Sequence, residues 1–163
     1  MVVIECKKAD FCDYDDFYRI KSDPENVKWS GFPTAPDYNR MKEWFQQQLV
    51  NNKRNIYLCY WNGSVCGFFY LDYLSLESGA TAQEIGYGVL SEFSGKGIGT
   101  AILEKVTQIC DTSLIVAWVS EKNRASERCF EKNGFEKQQK RELRKMTSFQ
   151  ESHYFYFWTK QIR

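Results

Sequence analysis

Apolar positions along the chain follow two rhythms, one helical and one strand-like. VVIEC near the start reads as a short strand. In ADFCDYDDFYRIKS, Phe11, Tyr14, Phe17 and Tyr18 line one side of a helix that Asp10 or Asp13 caps. SDPENVKWSGFPTAP is turn-rich. DYNRMKEWFQQQLVNN follows, with Met41, Trp44, Phe45 and Leu49 at helical spacing and Asp37 as the N-cap. NIYLCYW and SVCGFFYLDYLS flank Asn62-Gly63, a strong hairpin signal, and LESGA separates them from TAQEIGYGVL, a third strand. The pattern then changes to alternation: helix GIGTAILEKVTQIC, buried strand SLIVAWVS, helix NRASERCFEKN and the strand beginning GFEKQQKREL. A basic segment, Lys137 to Lys145, precedes the closing strand SHYFYFWTK. Hairpins followed by strand-helix alternation predict one α+β (α/β-like) domain over residues 1–163. Its centre is a mixed, mostly antiparallel sheet of about six to seven strands with helices on both faces.

Composition narrows the function classes. Lys and Arg number 22 against 21 Asp and Glu, a net charge of +1, which advertises neither nucleic acid nor an anionic membrane. The longest apolar runs, Ile56–Trp61 and Leu114–Val119, fall far below the ~20 residues of a spanning helix. Charged Glu5, Lys7 and Lys8 follow MVVI directly, so the expected location is cytoplasmic. The cysteines form no C-x-x-C pair, which removes the usual start of a metal site, and in the cytosol they stay reduced. His153, the single histidine, sits in an alternating strand, where hydrolase chemistry built on histidine is not expected.

Two stretches carry candidate chemistry. SGKGIGT, Ser94 to Thr100, lies where a strand gives way to a helix. A helix N-terminus exposes about four unpaired N–H groups, and Gly95, Gly97 and Gly99 remove the side chains that would keep a phosphate away. Lys96 adds charge at the rim. The turn is a pyrophosphate cradle or simply a tight connection; it matches neither G-x-x-x-x-G-K-[ST] nor G-x-G-x-x-G. The second stretch opens at Asn123, where NRASERCFEKNGF gives a capped helix with Ser126 and Phe130 on one face and Gly134 ending it.

Together, E-I-G-Y-G-V-L-x7-G-I-G-T and N-x-x-S-x-x-x-F-E-K-N-G-F resemble the GCN5-related N-acetyltransferase (GNAT) family over Thr81 to Phe135. The second motif is most similar to the branch of ribosomal-protein N-terminal acetyltransferases. The resemblance implies a splayed strand pair holding acetyl-CoA. The strand spanning Tyr87 to Leu90 would leave its neighbour at a bulge suited to Gly86 and Gly88. The backbone of Val89 and Leu90 would hold the pantetheine arm and polarise the thioester carbonyl. The amides of Ser94, Gly95, Lys96, Gly97, Ile98, Gly99 and Thr100 would hold the pyrophosphate, with Asn123 near the arm and Phe130 beside the sulfur. Ser94 stands where the family usually has Gln or Arg. Many members carry Tyr at the Phe130 position, and Phe cannot protonate a thiolate.

Acetyl transfer to an amine requires a neutral nucleophile, and an amine of pKa about 10.4 resists neutrality at pH 7 by about 4–5 kcal/mol. Glu84, on the same strand face as Gly86 and Gly88, is the candidate base; Ser126 is the candidate donor to the leaving thiolate. The expected acceptor is a small-molecule amine or a protein N-terminus, with no metal, nucleic acid or membrane partner and a monomer or homodimer as the assembly. Acidic residues in the N-terminal helices suit a cationic acceptor, whereas Lys137–Lys145 suits an acidic one. A non-catalytic acyl-CoA-binding module is the alternative.

Overall fold

The computed structural model describes residues 2–162. Strand β1 (Glu5–Lys8) leads through a 3-10 turn, Phe11–Asp13, into helix α1 (Tyr14–Lys21). Helices α2 (Pro24–Ser30) and α3 (Tyr38–Leu49) follow, then strands β2 (Arg54–Trp61), β3 (Ser64–Ser75) and β4 (Thr81–Val89). The alternating half comprises α4 (Ile98–Ile109), β5 (Leu114–Ser120), α5 (Arg124–Lys132), β6 (Glu136–Met146) and β7 (Glu151–Gln161). They build a seven-stranded sheet in the order β1-β2-β3-β4-β5-β7-β6, with β4–β5 parallel and its other pairs antiparallel. The expected mixed α+β sheet is therefore present.

Local chemistry accounts for the hairpin. Asn62 (φ 51°) and Gly63 (φ 80°) take the two left-handed positions that a tight two-residue turn demands. Helices cover the sheet on two faces. On one, Ile98, Ile102, Leu103 and Val106 of α4 pack with Ile85, Ile115 and Trp158. On the other, Tyr14, Phe17 and Ile20 of α1 meet Phe45, Leu58 and Phe68. Both clusters are aromatic-rich, which absorbs much of the compositional bias.

Three local readings differ from the structure. The turn-rich stretch holds α2, because the Asp23 side chain accepts from the Glu25 amide and Pro24 is preset for a first helical turn. Phe11 is exposed, since it sits in the 3-10 turn ahead of α1 and Ile20 takes the buried position instead. The basic segment is itself strand: Lys137 to Lys145 lies within β6 at the sheet edge, where charge discourages further pairing. Among the described residues no helix is long and apolar enough to cross a membrane.

Candidate functional site

The glycine turn takes backbone shapes that side chains resist. Gly95 and Gly97 adopt φ of 75° and 84°, which L side chains resist, and a Cβ on Gly95 would meet nothing within 4 Å. No side chain caps α4, and the first bond back to the turn is Ala101 N–H to the Gly97 carbonyl at 3.1 Å. The amides of Ile98, Gly99 and Thr100 therefore face open space at the positive end of the helix dipole. Gly99 has a different duty: its Cβ would lie 3.0 Å from Cys129 Sγ, so glycine lets α4 and α5 approach. Lys96 stays at the exposed rim, and the Ser94 amide is taken by the Ser91 carbonyl at 3.0 Å.

Beside this turn the sheet opens. β4 and β5 pair at Gln83–Ile115 and Glu84–Val116 and then separate. No bulge is involved, contrary to expectation: β4 keeps an unbroken register against β3 from Thr81 to Val89, and the gap arises because pairing with β5 stops. The Leu90 amide donates to the Cys66 carbonyl at 2.9 Å and the Leu90 side chain is buried, so Leu90 offers the gap no donor. Antiparallel pairs alternate, however, so the neighbouring Val89 turns its N–H and C=O away from β3 and toward the opening.

Asn26 of α2 was invisible to motif reasoning. Its Nδ2 donates to the Ile20 carbonyl at 2.9 Å and to the Val89 carbonyl at 3.1 Å. Two acceptors on one side fix the amide's orientation, leaving Oδ1 over Gly88, 2.9 Å from where a Cβ would stand. Asp23 straps α2 to the segment after β4, accepting from the Ser91 amide at 2.9 Å and from its hydroxyl.

From the far wall, the Asn123 side chain caps α5 by accepting from the Ser126 amide at 3.2 Å, and Ser126 Oγ lies 3.1 Å from Tyr87 Oη. Burial, with Cys129 second, pushes the Tyr87 phenol well up, so it keeps its proton. Phe130 is 2% exposed; its ring packs on Phe135 and Trp158 and meets Tyr87 edge-on at 6.0 Å. Its ring is therefore part of the core behind Tyr87.

A cavity of about 380 Å³ joins these parts, lined by Asn26, Tyr87, Val89, Gly97, Asn123 and Ser126 among others. Ser94, Gly95, Ile98, Gly99 and Thr100 also line it, whereas Glu84, Leu90, Lys96 and Phe130 do not. Glu84 stands four residues before Gly88, about 13 Å along the strand. It lies opposite Asp72, which holds Arg54 through paired 2.7 Å bonds. Burial first, and Asp72 second, raises its carboxyl above the ordinary range against the pull of Arg144 and Arg54. The two opposing charge cues are largely engaged. Asp13 pairs with Lys7 and Asp15 accepts from Tyr38, while Lys137 pairs with buried Glu127 at 2.9 Å.

The acetyltransferase (GNAT) domain family matches residues 7–136. No curated protein matches the sequence. Solved structures match almost end to end. Spermidine N-acetyltransferase from Vibrio cholerae, in complex with CoA and spermine, is 10% identical with a TM-score of 0.83, over 97% of this chain and 95% of that one. A GNAT superfamily phosphinothricin acetyltransferase from Sinorhizobium meliloti, in complex with AcCoA, is 18% identical with a TM-score of 0.79, over 98% and 88%. Ribosomal-protein-alanine N-acetyltransferase from Brucella melitensis is 17% identical with a TM-score of 0.78, over 96% and 99%.

Proposed function

This chain belongs to the GNAT acetyltransferase family, and from that premise we propose that it is an acetyl-CoA-dependent N-acetyltransferase acting on a primary amine by direct attack in a ternary complex. The observation that carries the reading is the opening of β4 from β5 directly beside unpaired amides at the α4 N-terminus. The residues present fit acetyl-CoA: the Gly95–Thr100 turn is a glycine-floored cradle for a pyrophosphate, and the gap beside Val89 supplies a free backbone donor. Bound there, acetyl-CoA supplies an activated acyl carbon and a thiolate leaving group.

The protein's own groups divide the remaining work. The Val89 N–H donates toward an oxygen that becomes negative at the gap, in a site whose donors are already fixed. Asn26 Oδ1, held by its two carbonyl contacts, accepts an N–H of the incoming amine and turns its lone pair toward the acyl carbon. Glu84, with its raised carboxyl, takes the amine's proton through a chain of several water molecules, since roughly 13 Å of strand separates it from Gly88. Ser126, coupled to a Tyr87 phenol that keeps its proton, donates toward the leaving sulfur in place of the tyrosine that Phe130 replaces.

The buried position of Phe130 favours a second reading, an acyl-CoA-binding module without chemistry. One experiment separates the two: calorimetric titration with acetyl-CoA, with NADH and ATP as controls, followed by thiol release over a panel of amines. Saturable binding of acetyl-CoA and amine-dependent thiol release are expected. Binding without release establishes the module, and no binding removes both readings.

A further inference from the structure

The face of β4 toward α1 and α2 is bare at Gly86, while Phe68 and Asn26 cover Gly88. A methyl group on Gly86 would meet nothing closer than Tyr70 Cδ2 at 3.5 Å, so the strand there floors an open trough. Phe68 and Tyr70, paired with Gly88 and Gly86 across β3–β4, form one side of that floor.

Lys21, the last residue of α1, stands on those two rings, its Nζ 5.3 Å from the Phe68 centroid and 5.7 Å from that of Tyr70. The backbone of the preceding residue, Ile20, is tied through Asn26 to Val89, so the end of α1 is fixed to two residues that line the cavity. Among the described residues, none gives it an ion pair or a hydrogen bond. Of the carboxylates on the surrounding elements, Asp72 holds Arg54 and Asp23 holds Ser91, while Glu84 stands farther along β4 opposite Asp72. Tyr70 Oη, in the same wall, is buried with no partner. Burial, with Arg54 adding, pushes the Lys21 amine down to about 8, which measures how poorly the protein itself accommodates this cation. A desolvated cation without a counter-charge at the rim of a trough is matched by an anion arriving with the ligand.

We propose that the acceptor is a small primary amine carrying a carboxylate close to its amino group, with Lys21 receiving the carboxylate while Asn26 receives the amine. This rests on the acetyl transfer proposed above and selects among its acceptors: an amino-acid-like amine, in preference to a polyamine or a protein N-terminus.

The test compares free amino acids with their carboxamides and decarboxylated amines, alongside spermidine and an alanine-terminated peptide, by thiol release from acetyl-CoA. One charge-assisted hydrogen bond predicts a preference of about 10–100-fold in kcat/KM for the carboxylate form. Lys21→Met is expected to collapse that ratio toward one, and Lys21→Arg to keep most of it. A second readout needs no turnover: calorimetric binding of an N-acetylated amino acid in the presence of CoA, weakened about tenfold or more by Lys21→Met. Equal or better use of carboxamides or spermidine by the wild type, or a Lys21→Met loss shared by both forms, overturns the proposal. If no amine releases thiol, the transfer reading falls separately. Unchanged product binding in Lys21→Met then overturns the anion site as well.

Discussion

Gly88→Ala tests the floor of the site with a single methyl group. Its Cβ would stand 2.7 Å from Phe68 Cε1 and 2.9 Å from Asn26 Oδ1, both closer than real contacts allow. Neither neighbour yields freely. Phe68 is 4% exposed and wedged against Phe17 and Tyr70, at centroid distances of 5.5 and 4.9 Å, and Asn26 is held by two hydrogen bonds. Overpacking of this kind costs about 1–3 kcal/mol, and each hydrogen bond given up adds about 0.5–1.5 kcal/mol. Taking about 2 kcal/mol as the net loss, the melting temperature falls by about 4–8 °C for a chain of this size. Gly86→Ala is the control: with Tyr70 Cδ2 at 3.5 Å the methyl fits, and a strand glycine replaced by alanine gains about 0.5 kcal/mol. Differential scanning calorimetry reads both variants, and steady-state kinetics adds the functional half. Gly88→Ala is expected to lose at least about tenfold in kcat through displacement of Asn26. Its acetyl-CoA affinity stays within about threefold, because the α4 amides lie on another element. Wild-type stability and turnover in Gly88→Ala, or equal damage from Gly86→Ala, would refute the placement of Phe68 and Asn26 over this strand.

Two further outcomes test the chemistry. Glu84 binds its proton more tightly in the folded state, so its contribution to stability is present below its unfolded value near 4.5 and is lost as pH rises through the folded value. Glu84→Gln should flatten that decline in chemical-denaturation titrations and remove the acid limb of kcat/KM, where activity rises as the carboxylate ionises; an unchanged pH–rate profile excludes it as the base. Asn26→Leu and Ser126→Ala should each lower kcat by about tenfold or more with acetyl-CoA binding retained. Wild-type turnover in either variant removes that residue from the mechanism.

What was legible in the sequence is what depends on neighbours along the chain. Asn62-Gly63 states its own turn, Asp37 and Asn123 cap the helices they precede, and the glycines after β4 expose a helix end wherever the rest of the chain goes. The mixed, mostly antiparallel character of the sheet followed from hairpins and alternation, whereas the insertion of β7 between β5 and β6 did not. α2 was lost because seven residues that begin with a proline, rich in polar side chains, leave no apolar period to detect. The bulge failed for a related reason: glycine spacing shows that β4 is bare, but where its pairing with β5 ends depends on a strand about 30 residues away.

The same division separates the two halves of the site. On the proposed reading, holding a pyrophosphate takes backbone amides at one helix end, which a short local motif suffices to encode. The acceptor choice proposed above takes side chains set against β4 from outside the motif: Asn26 and Lys21 come from helices about 60 residues earlier, and their positions relative to Gly86 and Gly88 obey no spacing rule. Phe130 shows the opposite case, a residue whose motif position implies a place beside the sulfur while its ring packs on Phe135 and Trp158. Tyr87 of β4 places a phenol 3.1 Å from Ser126. On the proposed mechanism a hydroxyl for the leaving group can thus arrive from either side of the β4–α5 contact, which makes the pairing of strand and helix the unit to read, and not the identity of residue 130 alone.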